Sequence, residues 1–163
     1  MKNIITILLL LIYIGGYTQS NETNIFVQST KKEKIKLLLD ELNAYRDSLG
    51  LDLFILDKTI SKPAQQHAEW MSINTPKTWS HEEKRWTKKF SGVKLNDRVN
   101  RYYVKWTLIE EIVSYCPNEY MNHKNILRLY KSSPPHHEAL VGIRTIKVGI
   151  GVTDNHTCLI FSN

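Results

Sequence analysis

The stretch TIKVGIGVTDNHTCLIFS, residues 145 to 162, is the plainest structural signal in the chain. Ile146, Val148, Ile150 and Val152 alternate, and Leu159 and Phe161 alternate again after Asp154-Asn155. A period of two puts one face of a strand on a core, and Asp-Asn between two such runs is turn chemistry, so a β-hairpin is predicted. Gly149 and Gly151 inside the first run mark a place where another group comes close to the strand backbone.

Upstream of the hairpin the periodicity is helical. Thr30 and Glu33 form a T-x-x-E capping box, after which Ile35, Leu38, Leu39, Leu42, Tyr45 and Leu49 recur at helical spacing up to Gly50. A second helix is predicted from Lys58 to Ile73, with Ile60, Ala64, His67, Ala68 and Met71 on one face and Pro63 needing a place in the first turn. His67 on that stripe reads as a packed core residue. Residues 75 to 92 read as a loop carrying Ser80-His81, and residues 95 to 101 as a short helix begun by Asn96 or Asp97. The β-branched content of KWTLIEEIVSY favours a strand over Thr107 to Ile112. Asn118 is placed to cap a helix with Tyr120, Met121, Ile126, Leu127 and Tyr130 on its apolar side; Pro134-Pro135 end it, and a short helix restarts at His136. Helices followed by a terminal hairpin, with no βαβ repetition, predict an α+β fold with a small antiparallel sheet flanked by helices.

The first residues read differently. Lys2, the apolar run Ile4 to Ile14, Gly15-Gly16 and small residues at Thr18 and Ser20 describe a signal peptide cleaved after Ser20. The run falls short of the roughly 20 residues a spanning helix needs. The expected organisation is therefore a signal peptide over 1–20, a polar lead-in over 21–29, and one domain over 30–163, secreted or periplasmic. Export allows Cys116 and Cys158 to bridge, or to remain as two buried thiols. The chain carries a net charge of +6, and its cations cluster as Lys84, Arg85, Lys88, Lys89, Lys94, Arg98, Arg101 and Lys105 around Trp86, Phe90, Tyr102, Tyr103 and Trp106. Such a segment suits an anionic envelope surface or an acidic glycan; an exported protein has little use for nucleic acid.

The candidates for chemistry are His81 in its loop, His136 after the proline break, and Glu110 or Glu111 on the predicted strand. Neighbours on a strand point to opposite faces, so only one of the two glutamates shares a cleft with the histidines. Two imidazoles can ligate a divalent metal such as Zn²⁺, and a carboxylate can orient a ring or act as a base.

The order of the motifs resembles the CAP superfamily of cysteine-rich secretory proteins, antigen 5 and pathogenesis-related proteins, in its bacterial secreted branch. The resemblance rests on Asn43, Arg46, Gly50 and Leu51; on Leu53 and Asp57; on Ala64, His67, Ala68 and Met71; and on Ser80-His81 and Asp97-Arg98-Val99. It continues through IEEI for the family's Gly-Glu-Asn-Ile, YKSSPPHHEALVG for its W-x-x-S-P-G-H-R motif, and TIKVGIGVT for its terminal strand. The resemblance implies an α-β-α sandwich and a cleft of His81, Glu110 and His136, with His137 facing solvent and Ser133 beside the second histidine. Tyr130 replaces the family tryptophan, Pro135 the glycine before the histidine, and Ile109 and Glu111 the residues flanking the glutamate. Three functions remain open at this point. One is non-enzymatic binding of a lipid, glycan or protein through a cleft that holds a divalent metal or does without one. Another is a metal-dependent hydrolase of an envelope or extracellular polymer, with His81 and His136 on Zn²⁺, Glu110 as base and Ser133 on substrate. The third is a structural interaction domain with an inactive cleft.

Overall fold

The computed structural model describes residues 25–102 and 105–163; the expected signal peptide lies outside them. The elements in chain order are α1 (Lys31–Ser48), β1 (Ile55–Leu56), α2 (Lys58–Asn74), α3 (Leu95–Asn100), β2 (Ile109–Tyr115), α4 (His123–Ser132), α5 (Pro134–Val141), β3 (Lys147–Val152) and β4 (His156–Ser162). The sheet has the order β1-β3-β4-β2. The predicted hairpin forms, with Ile150 opposite Leu159, and β2 runs antiparallel to β4 along its whole length. The sheet is nevertheless mixed, because Ile55 and Leu56 pair in parallel with Lys147 and Val148.

Helices cover both faces of this sheet, which is the α-β-α sandwich. On one side Ile112, Val148, Ile150, Leu159 and Phe161 pack with Leu38, Leu42, Ile126, Tyr130 and Leu140 of α1, α4 and α5. On the other, Val113, Cys158 and Ile160 pack with Ile60, Ala64, Ala68 and Met71 of α2. The strand glycines explain the closeness of that second layer. A Cβ on Gly151 would lie 2.2 Å from the Ala64 carbonyl oxygen, and one on Gly149 2.4 Å from the Ile60 carbonyl carbon. The α2 backbone thus rests directly on β3.

Several residues of the family motifs hold these layers together. Asn43 donates to the Phe54 carbonyl (3.1 Å) and accepts from the Phe54 N–H (2.8 Å), which fixes the approach to β1. The buried Arg46 guanidinium donates to the carbonyls of Asp52 (2.5 Å), Leu140 (2.7 Å) and Gly142 (3.0 Å), and stacks 4.1 Å from the Phe54 ring. It thereby satisfies carbonyls at the end of α5 that the helix itself leaves unpaired. Asp57 caps α2 through the N–H groups of Thr59 and Ile60.

Some boundaries depart from expectation, each for a local reason. The capping box at Thr30 is present, but the lead-in is more than a polar arm: residues 25–28 form a helical turn and Phe26 is fully buried among α1 and α4 residues. Pro63 lies in the second turn of α2, where the helix continues because Ile60 and Ala64 on either side are packed against the sheet. Strand β2 starts and ends later than predicted and extends to Tyr115, since its pairing with β4 persists as far as His156. Asn122 caps α4 by accepting from the Asn125 N–H, whereas Asn118 begins a single 3₁₀ turn. Helix α5 starts at Pro134, both prolines fitting its first turn where no N–H is required.

Cys116 and Cys158 are free and buried. Cys116 belongs to the core on the α1 side and Cys158 to the core on the α2 side, so the sheet lies between them.

Candidate functional site

Strand β2 is an outer strand of the sheet, so side chains arriving from the two helical layers meet across it. His81 comes from the loop that follows α2, and His136 from the first turns of α5. Between them lie Glu110 and Glu111, pointing to opposite faces as strand geometry requires.

The glutamate on His81 is Glu111. Its Oε2 stands 3.0 Å from Nδ1 of His81, and its Oε1 accepts from the Arg98 guanidinium at 2.5 Å. Cys158 Sγ lies 3.5 Å from the same Oε1. Arg98 is fully buried, and its other terminal nitrogen donates to the carbonyls of His81 (3.1 Å) and Val93 (3.3 Å). One arginine therefore holds both the carboxylate and the backbone of the histidine that the carboxylate orients. Burial alone would raise Glu111, but the hydrogen bond with His81 and the charge of Arg98 outweigh it, and the carboxyl is held below its ordinary value. Asp97, beside Arg98, accepts from the Lys94 N–H at 3.0 Å and so sets the start of α3.

Glu110, the residue matching the family glutamate, turns to the α5 side, where the Thr145 hydroxyl donates to it at 3.4 Å. Its carboxylate lines a cavity of about 310 Å³ with Glu138, Gly142 and Arg144. It also borders an opening of about 300 Å³ that includes His81, Lys94, Ile109 and Glu111. Glu111 is therefore the glutamate bonded to His81, while Glu110 borders the opening that His81 also lines.

His136 packs edge-on against the Tyr130 ring at 6.0 Å, so the tyrosine that replaces the family tryptophan still provides an aromatic wall. Burial, and then the charge of His81, push its pKa below the usual 6.5, leaving a neutral ring at pH 7. The charge of His81 thus reaches the His136 ring. His81 keeps 44% of its side chain exposed, with the Trp79 ring set edge-on 5.6 Å away. His137 does not simply face solvent: its Nε2 and the Tyr45 hydroxyl are 2.7 Å apart, which ties α5 to α1. Ser133 supplies the N-cap position of α5 without a side-chain cap bond, and its carbonyl accepts from the His137 N–H at 2.8 Å.

The loop that presents His81 rests on a buried pair. His67, fully enclosed in α2, places Nδ1 3.0 Å from Glu83 Oε1 and Nε2 2.8 Å from the Ser80 carbonyl. Glu83 also accepts from the Ser91 N–H (2.6 Å) and hydroxyl (2.8 Å). Burial would raise Glu83, yet the bonds from His67 and Ser91 prevail and lower it. His67 is a core residue as expected, but one with a polar role, since it closes the loop whose next residue after Ser80 is His81. Helical periodicity shows the stripe and is silent on a partner sixteen positions away.

A metal can be tested against these donors. Nδ1 of His81 is directed to Glu111, which leaves Nε2 for a ligand, and the neutral His136 ring has donor character as well. Among the described residues no group of three His, Cys, Asp or Glu side chains stands together as a metal set. Catalytic zinc usually has three protein ligands, and among the described residues the two imidazoles have no third.

The sequence signature of the CAP, or Cysteine-rich secretory protein, family matches residues 39–159. The chain belongs to this family. It is 26% identical over 127 residues to an uncharacterized protein of Borreliella burgdorferi, covering 76% of this chain and 74% of that one. Its fold superposes with a TM-score of 0.68 on an outer surface protein of Borrelia burgdorferi, 24% identical, over 83% of this chain and 96% of the other. The same score is reached with an extracellular SCP-domain protein of Bacillus anthracis, 22% identical, over 78% of this chain. The match spans only 39% of that Bacillus protein's length.

Proposed function

We propose that the chain is a secreted CAP-type domain that binds a lipid, glycan or protein without transforming it, using the His81–Glu111–His136 cleft at the edge of β2. Support for export comes from the sequence of residues 1–20 and from similarity to extracellular and outer-surface proteins. The observation that carries binding over hydrolysis is the donor set: among the described residues no third His, Cys, Asp or Glu joins His81 and His136, whereas catalytic zinc usually has three protein ligands, and Glu110, the base a hydrolase would use, is bonded to Thr145 and to neither imidazole. The glutamate on His81 is Glu111, a carboxylate fixed by Arg98 and His81 and held low. It is built to orient a ring, and the exposed nitrogen of that ring is what a ligand meets. Were Zn²⁺ or another divalent ion held here, His81 and His136 would be the residues to hold it, and it would supply Lewis acidity to a bound oxygen.

A second contact surface lies in the basic aromatic segment, directed at the anionic envelope. Two of its expected members drop out: Arg98 is buried on Glu111, and Lys89 is paired with Glu69 at 2.5 Å. Lys84, Arg85, Lys88, Lys94, Arg101 and Lys105 remain exposed.

The test is imidazole NMR on residues 21–163 during titration with Zn²⁺, soluble peptidoglycan fragments and phospholipid vesicles. Shifts at both His81 and His136, with the added probe recovered intact, are expected. Turnover of a probe that disappears in His81→Ala would replace binding with hydrolysis.

A further inference from the structure

Residues 84 to 89, Lys-Arg-Trp-Thr-Lys-Lys, combine an exposed aromatic ring, unpaired cations and a constrained backbone. Trp86 is 98% exposed, at the extreme for a side chain this apolar. Its φ of 69° lies in the left-handed region, as does the 60° of Lys89, and bulky residues seldom adopt it. The turn is held from beneath on both sides of the ring. Buried Trp70 donates its indole N–H to the Thr87 hydroxyl at 2.7 Å, and that hydroxyl donates to the Lys84 carbonyl at 2.6 Å. Asn74 donates to the Lys88 carbonyl at 3.0 Å, and Lys89 is tied to Glu69, whose carboxyl that contact pulls down to about 2. A mobile loop would leave an exposed tryptophan free to fold back; this one fixes it outward. Around the ring, Lys84, Arg85 and Lys88 form no ion pair among the described residues, and the stretch contains no acid.

We propose that this turn is a docking tip for an anionic phospholipid surface, with Trp86 entering the headgroup region and Lys84, Arg85 and Lys88 meeting lipid phosphates. The chemistry is complementary on both counts. Tryptophan partitions to the membrane interface because its ring is apolar and its N–H is polar, and each nearby cation gains from an anionic surface. The pinned backbone places ring and cations in the docking arrangement beforehand, so little order is lost on contact. This inference rests on the envelope-facing half of the proposed function and narrows it from a broad basic segment to one turn. It makes no demand on the histidine cleft.

The experiment is vesicle flotation of residues 21–163 on phosphatidylglycerol–phosphatidylcholine and on pure phosphatidylcholine, with brominated lipid to quench tryptophan fluorescence. The wild type binds only the anionic vesicles and is quenched. Trp86→Ala and Trp86→Gly weaken binding about tenfold and abolish the quenching, the glycine variant without loss of stability because it accepts the positive φ. Lys84→Ala, Arg85→Ala and Lys88→Ala each weaken it about fivefold. Lys32→Ala on exposed α1 does not. Equal binding by wild type and Trp86→Ala, with Lys32→Ala as weakened as the tip variants, would overturn the tip while leaving a diffuse basic surface in place. Failure of the wild type to bind anionic vesicles would remove both. A wild type that binds a soluble polyanion and ignores vesicles would assign the turn to a different partner and overturn the lipid proposal.

Discussion

Gly151 offers the sharpest perturbation of the fold that carries the cleft. In Gly151→Ala the new methyl would lie 2.2 Å from the Ala64 carbonyl oxygen, 2.3 Å from its carbonyl carbon and 2.5 Å from the Gln65 nitrogen. These are backbone atoms in the middle of α2, with no flexible side chain to yield. Ordinary contact requires the helix to retreat from β3 by about 1.2 Å. That motion strains the bonds from Gln65 to the Val152 backbone (3.1 and 3.2 Å) and opens the buried layer of Ala64, Ala68 and Met71. Overpacking of this kind costs typically 1–3 kcal/mol, and the rigid obstacle here puts the expectation at about 3 kcal/mol or more. Gly142→Ala is the control, since its Cβ would meet nothing closer than 3.5 Å and it is expected to stay within about 0.5 kcal/mol of wild type. Urea unfolding of the three proteins, followed by far-ultraviolet circular dichroism, gives the comparison. A Gly151→Ala protein as stable as the control would refute direct seating of α2 on β3. Because α2 also carries His67, the variant should in addition loosen the His81 loop, seen as faster amide exchange over residues 80–92.

Other outcomes follow from the same geometry. Glu111→Gln leaves the buried Arg98 charge without its partner and is expected to cost about 3–5 kcal/mol in urea unfolding, against about 0.5 kcal/mol for Glu110→Gln; a reversed ranking would contradict the buried Arg98–Glu111 pair. Arg46→Met removes three bonds to backbone carbonyls and should destabilise by at least about 3 kcal/mol in the same assay, with near-neutrality refuting its role at the end of α5. Glu83 and Glu111 sit below their ordinary 4.5 in the folded chain, so their stabilisation is present above that pH and declines as pH falls through it; His136 and His156, both lowered from 6.5, already begin to cost stability as pH drops below 6.5. A pH series of melting temperatures should therefore fall from pH 7 towards pH 4, and a flat profile would contradict these placements. Thiol titration should find both cysteines shielded in the native chain and two reactive thiols in urea, whereas an intramolecular bridge would contradict their separation by the sheet.

Much of the fold was legible because it depends on period and punctuation. The alternation from Ile146 to Val152 gave the hairpin, the box at Thr30 gave the first helix, and the strand glycines announced a close neighbour that proved to be α2. The two-residue β1 was invisible, since Ile55-Leu56 joins the sheet through hydrogen bonds to a distant strand and not through any pattern of its own. Phe26 was hidden in the same way, its burial decided by α1 and α4. At the site, motif order pointed to His81, Glu110 and His136, and was silent on Glu111 as the carboxylate bonded to His81. Which of two adjacent glutamates faces a histidine depends on strand register, and a one-residue difference reverses the face. Arg98 carried the missing information. Counted as one more cation in a basic segment, it is buried, and a buried guanidinium needs a carboxylate beside it.

The measurement that bears most directly on the cleft is the pKa of His136, followed by NMR of its ring nitrogens in wild type and in His81→Ala. If the two histidines share one site at the edge of β2, His136 titrates below 6.5 in the wild type. Removing His81 then raises the value, while the larger effect of burial keeps it under the ordinary range. A His136 that titrates normally, or whose midpoint ignores the loss of His81, would contradict a shared cleft and the binding function built on it.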